Sequence, residues 1–203
     1  MLLNVKTLNT YDVDASDGPV GTIVDSRFDD ERWTLQDLVV NTRKIVSGRE
    51  VLVPVGAVRE LEHEELILRL ALLKEQVDNA PSEPEDRGGA ADADTGARST
   101  KEVFGYHIRA RDETFGHLED MLIEPDTWAI RYLLIDTRNW WPGPPVLVAP
   151  DWVHHFDWVD RKLTIDMPAE RIKSCPAYDP SSPPTRDYET ALYSHYERTT
   201  YWR

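Results

Sequence analysis

Imidazole and carboxylate side chains stand close together at two places in this chain, and either group could do chemistry. His154 and His155 are adjacent and lie between Asp151 and Asp157, and imidazole with carboxylate is an ordinary zinc donor set. On an extended segment, however, neighbouring side chains point to opposite faces, so the two histidines do not readily share one ion. They read as solvated loop positions. His117 lies near Glu119 and Asp120, and in a strand His117 and Glu119 share one face, as a general base and its carboxylate partner would. The lone Cys175, between Ser174 and Pro176, reads as a packing residue or an incidental thiol. The chain contains no G-x-S-x-G elbow, no phosphate-cradling glycine loop and no H-E-x-x-H. No catalytic, cofactor-binding or metal-binding residue is therefore assigned, no cofactor is expected, and the chain reads as a non-enzyme. A metal-assisted enzyme, such as a hydrolase using His154 or His117, is the alternative on this point.

The aromatic residues point elsewhere. Trp140 and Trp141 precede Pro142-Gly143 in a turn, and large aromatics on loops anchor partner surfaces because they bury much area at small entropic cost. Covering the end of their own domain is the competing role. In the C-terminal stretch DYETALYSHYERTTYW, a helix would align Tyr188, Leu192 and Tyr196 at spacing four, with Ala191 and His195 beside them. That stripe needs a groove on the second half of the chain, on the first half or on another chain. Trp140, Trp141, Tyr188, Leu192, Tyr196 and Trp202 are the candidate partner contacts.

These groups are carried by a duplicated framework. At an offset of 95, YDVDASDGPVGTIVDSRFDDERWTLQDLVVNT aligns without a gap on YHIRARDETFGHLEDMLIEPDTWAIRYLLIDT. Gly21, Asp25, Trp33 and Gly48 meet Gly116, Asp120, Trp128 and Gly143, and these eight are the repeated structural positions. Arg59-Glu60 stands where the second copy has His154-His155, so the histidine pair is not shared. An aspartate that recurs, as Asp25 and Asp120 do, reads as fixing a turn or strand end through backbone hydrogen bonds. WTLQDLVVNT and WAIRYLLIDT read as central strands, opened by tryptophans expected in the core, and VLV at 51–53 and 146–148 follows as a hairpin partner. Asp17-Gly18 and Asp112-Glu113 mark an earlier turn, before strands opened by Gly21 and Gly116. ELILRLALLKEQV taken alone permits a helix from Leu66. Its counterpart RKLTIDMPAERI alternates Leu163 and Ile165 before Pro168, so a strand near 66–70 and 161–166 is expected, then a short helical turn carrying Val77 or Ile172.

Between the copies, APSEPEDRGGAADADTGARST lacks large apolar residues and reads as a flexible acidic linker. The expected organisation is a first domain at 1–80, a linker at 81–100, a second domain at 101–176 and an aromatic tail at 177–203. With 37 acidic and 23 basic residues among 203, the net charge of -14 disfavours nucleic acid and anionic membrane surfaces as partners. The single cysteine fits a reducing compartment. No apolar run approaches a membrane span, and the N-terminal segment lacks the pattern of a secretory signal. A soluble, cytoplasmic, acidic protein is the expectation.

The pieces VGTIVDSRFD, WTLQDLVVNT and GREVLVP, with FGHLEDMLIEPDTWAIRYLLIDT and NWWPGPPVLVAPDWV in the second copy, resemble the PRC-barrel family. That small β-barrel is known from the cytoplasmic part of the photosynthetic reaction-centre H subunit and from a ribosome-maturation factor. The resemblance covers about residues 5–80 and 101–177, and with the tail it looks like the stand-alone tandem form of bacteria. It implies a mostly β chain of two PRC-like barrels in tandem, with short helical turns and a C-terminal helical tail. The function expected is interaction or scaffolding with an unidentified protein partner, including a homodimer through the aromatic loop and tail. An accessory role in photosynthetic or other electron-transfer complexes is the alternative implied by the H subunit, with peripheral association at a membrane complex. A ribosome-associated role is disfavoured by the charge.

Overall fold

A computed structural model describes residues 1–42, 48–82, 97–140 and 143–202, and in it the chain is mostly β. The elements follow in chain order: β1 (Leu3–Asn4), α1 (Val5–Leu8), β2 (Asp12–Ala15), β3 (Gly18–Asp29), β4 (Thr34–Thr42), β5 (Arg49–Pro54), β6 (Val58–Glu62), β7 (Ile67–Leu70) and α2 (Lys74–Asp78). Then come β8 (Ala97–Ser99), α3 (Thr100–Val103), β9 (His107–Arg109), β10 (Thr114–Glu124), β11 (Ala129–Asp136), β12 (Val146–Val148), β13 (Val153–Asp157), β14 (Lys162–Ile165), α4 (Ala169–Lys173) and α5 (Arg186–His195). The run from β2 to α2 recurs from β9 to α4 at the spacing of the sequence repeat.

Pairing recurs with it. β2 lies antiparallel to β3 and parallel to β7, β7 is antiparallel to β6, and β4 is antiparallel to β3 and β5. β9 likewise pairs antiparallel with β10 and parallel with β14, β14 with β13, and β11 with β12. No ladder joining β5 to β6, or β12 to β13, occurs among the described residues. Leu38, Val39 and Val40 of β4 are all buried, as a strand covered on both faces requires. Ile67–Leu70 and Lys162–Ile165 are strands with alternate residues buried. Leu66 and Arg161 just before them take positive φ, 54° and 52°, a turn conformation that interrupts any helix there. Val77 and Ile172 are buried in the short helices that follow.

Two expectations need correction. Gly21 and Gly116 lie inside β3 and β10 instead of opening them. Trp33 and Trp128 are half-buried, outside the core. Each tryptophan has positive φ, 53° and 59°, and its N–H donates to the carbonyl four residues back, Asp29 or Glu124, at 2.8 and 2.7 Å. They close the turns before the central strands. Trp33 stacks on buried Phe28, with centroids 5.8 Å apart.

By contact the chain divides into two units, one of Leu3–Glu102 with Ile123–Ile130, the other of Met1–Leu2, Val103–Leu122 and Arg131–Arg203. Most of the expected linker, 83–96, falls outside the described residues. Its last part, Ala97–Ser99, forms β8 along Arg27–Asp29 of β3. In the same unit, Leu35 N–H donates to the Trp128 carbonyl and Ile130 N–H to the Trp33 carbonyl, at 2.9 and 2.7 Å, two bonds that exchange roles at the 95-residue offset.

Asp25 ties this unit together. Its carboxylate is buried and accepts from Ser26 N–H (2.8 Å), Ser99 Oγ (2.5 Å), Thr100 Oγ1 (2.9 Å) and Lys101 N–H (3.2 Å). A buried charge is tolerable when its lone pairs are filled in this way. Asp120, its counterpart, is also buried and accepts from Met121 N–H at 2.7 Å. Asp25→Ala should therefore lower unfolding stability by about 2–4 kcal/mol, because several buried donors lose their acceptor; urea titration measures this, and a loss below about 0.5 kcal/mol would contradict the role.

Candidate functional site

Gly116 decides which side chains meet in the second unit. A Cβ there would sit 2.7 Å from the Asp136 carbonyl oxygen and 2.8 Å from Ile135 Cγ2, so only glycine lets β10 run this close to β11. The approach repeats at Gly21, where a Cβ would lie 2.9 Å from the Asn41 carbonyl carbon. There Gly21 pairs with Thr42 and Thr22 with Asn41. At the equivalent positions the second copy carries His117 and Asp136, with Glu119 two residues along β10.

The three side chains converge. His117 Nε2 lies 3.5 Å from Glu119 Oε2 and 3.8 Å from Asp136 Oδ2. Among the described residues this is the one grouping of three His, Cys, Asp or Glu donor atoms close enough to share an ion. Asp136 is buried while Glu119 is partly open to solvent. Arg138 grips Asp136 from the rim, with Nε 3.0 Å from both carboxylate oxygens and Nη2 2.6 Å from Oδ2. Those hydrogen bonds, helped by the Arg138 backbone N–H and outweighing the opposing effect of burial, hold the Asp136 carboxyl at about 2. The Trp140 ring packs against His117 and His107, at centroid distances of 6.0 and 6.3 Å, and is 38 % exposed. Beside the cluster a cleft of about 280 Å³ is lined by Glu119, Asp120, Leu134, Asp136, Arg138, Pro145 and Pro180.

Sequence reasoning paired His117 with Glu119 and missed Asp136 and Arg138. Asp136 comes from another strand, and only the register of β10 on β11 brings it in. Asp120 is buried and lines the same cleft, but is not one of the three grouped donors. His154 and His155 are exposed on β13 and belong to no such grouping. Asp157 accepts from Val159 and Asp160 N–H groups and so fixes a turn. Cys175 is half-buried, and burial pushes its thiol pKa up, which disfavours the nucleophilic thiolate.

The tail packs within its own unit. Thr185 caps α5 by accepting from Tyr188 N–H at 3.2 Å. Leu192, Tyr193 and Tyr196 are buried, and Trp152 meets Tyr196 and Tyr193 at 4.6 and 5.2 Å between centroids. Tyr188 is half-buried and its hydroxyl donates to the Pro176 carbonyl at 3.1 Å. Trp202 is half-buried, with the Arg186 guanidinium 4.1 Å above its ring. The buried face thus runs through Glu189, which the apolar stripe did not anticipate. Glu189 accepts from the Tyr132 and Tyr201 hydroxyls at 2.9 and 2.7 Å and pairs with Arg186 at 3.0 Å. Of the candidate partner contacts, Leu192 and Tyr196 are covered by this packing, Trp140 is exposed, and Trp141 lies outside the described residues.

Because the folded pKa of Asp136 is depressed below its ordinary 3.8, the pair stabilises the fold above that value and loses its contribution as pH falls through about 2. Arg138 is largely exposed, so solvent screening limits the effect. Arg138→Gln should lower unfolding stability at pH 7, with the difference from the unaltered protein shrinking below pH 4 in denaturant titrations; a pH-independent difference would contradict this.

No helix among the described residues is long and apolar enough to cross a membrane. Comparison with known protein families found no family that matches the chain, and comparison with curated proteins found no match.

Proposed function

We propose that this is a non-enzymatic interaction or scaffolding protein built from two PRC-barrel-like domains, with the Trp140 loop of the second copy as its principal contact. The observation that carries this reading is the exposure of Trp140, a large ring held between His107 and His117. An aromatic side chain braced by neighbours loses little entropy on binding and offers a large area to bury. The sequence supports the same view, since the recurring positions are structural ones and the aromatic loop belongs to the second copy alone.

The partner is a protein, and a second copy of this chain is included among the possible partners. The tail supports the surface indirectly: Leu192 is buried and Tyr196 packs against Trp152, so its work is to brace the second unit. The net charge of -14 favours a partner whose facing surface is basic.

Affinity capture from native cell extract, run in parallel with the unaltered chain and with Trp140→Ala, tests the proposal. Trp140→Ala should keep the native fold by circular dichroism, since the ring lies at the surface, yet weaken partner capture or self-association by about 30-fold if the ring is a binding anchor. Equal capture by both proteins, with equal sedimentation behaviour, would refute it.

A further inference from the structure

The geometry points to a divalent transition-metal site, suited to Zn²⁺, formed by His117 Nε2, Glu119 Oε2 and Asp136 Oδ2. It goes beyond the interaction reading, with which it shares only His117, and it fails or stands by a different measurement.

Spacing is the first argument. A tetrahedral zinc ion takes nitrogen and oxygen donors at about 2.0–2.2 Å, which sets neighbouring donors about 3.3–3.6 Å apart. The histidine nitrogen lies 3.5 Å from one carboxylate oxygen and 3.8 Å from the other, and all three donor atoms fall within 4.8 Å of one another.

Donor chemistry is the second. One imidazole with two carboxylates suits zinc and its neighbours, whereas Ca²⁺ and Mg²⁺ favour shells made of oxygen alone. Asp136 and Glu119 each bring a negative charge of the kind a cation offsets. Arg138 is also a ready outer-shell partner, since its hydrogen bonds fix the orientation of Asp136.

Placement is the third. Gly116 holds β10 against β11, so the His117–Asp136 pairing belongs to the fold and does not depend on a chance side-chain approach. Three protein ligands leave a coordination position open, and the neighbouring cleft of about 280 Å³, lined by Glu119, Asp136 and Arg138, lies where a water or an outside ligand could take it. The first copy has Thr22, Val24 and Asn41 at the corresponding positions, so it offers no such donor set and the stoichiometry should be one ion per chain.

Zinc titration of the chelator-stripped full chain by calorimetry tests the site, with tryptophan fluorescence as a second readout, because the ring of Trp140, one of seven tryptophans, lies against His117. One equivalent should bind. His117→Ala and Glu119→Gln should each weaken binding by about tenfold or more, and the His154→Ala/His155→Ala double variant should bind like the unaltered chain. Circular dichroism checks folding, and Glu119→Gln, nearly isosteric and partly exposed, decides the matter should His117→Ala fail to fold. No zinc uptake at protein concentrations of tens of micromolar, unchanged affinity in Glu119→Gln, or loss of binding in the His154/His155 variant instead would overturn the assignment.

Discussion

A side chain as small as a methyl group does not fit where β3 passes β4 and β10 passes β11. Gly21 and Gly116 face backbone at distances that no ordinary Cβ contact shows, so the chain gives up a side chain at each place to bring the strands together. The close approach fixes which residues stand opposite one another just beyond it. In the first copy these are Thr22 and Asn41, a neutral polar pair. In the second the same positions hold His117 and Asp136, and an identical backbone constraint produces an ionisable cluster.

Buried carboxylates show how an acidic chain stabilises its folded form. Asp25 is satisfied by two hydroxyls and two backbone N–H groups, Glu189 by two phenols and an arginine, and Asp136 by Arg138. Each solution has a different consequence. Asp25 joins β3 to residues 99–101, far along the chain, and so makes part of the presumed linker a structural piece of the first unit. Glu189 pins the tail by its polar edge while Leu192, Tyr193 and Tyr196 fill the apolar contact. Asp136 alone stands next to an imidazole and a partly exposed carboxylate, beside open space.

Much of the framework was legible because duplication supplies an internal control. The apolar run at 66–73 fits a helix until it is laid against 161–168, where Pro168 and the alternation of Leu163 with Ile165 require a strand, and both segments are strands. Patterns of burial can be read this way because they depend on local period. The turn conformation of Trp33 and Trp128 could not, since nothing in composition separates a core tryptophan from one that closes a turn at positive φ. Asp136 was missed for a related reason: its partner His117 is 19 residues away, and their meeting depends on register, which pairwise spacing within one strand does not reveal. Glu189 fell outside the stripe that spacing suggested, because its burial is made possible by Tyr132 and Tyr201, which lie on other segments.

Where two copies of one framework differ, the difference must be carried by something other than folding. Both copies share the glycine approach, the buried aspartate and the tryptophan turn, so those residues answer to the needs of the sheet. The residues that are not shared, His117, Glu119, Asp136 and Trp140, lie together around one edge of the β10–β11 pairing. Replacing a neutral Thr22–Asn41 pair by ionisable groups adds charges that must be hydrogen-bonded or paired where they are buried, a cost that folding alone does not require. The concentration of unshared ionisable and aromatic residues at one place on a shared scaffold distinguishes this edge from its counterpart in the first copy among the described residues.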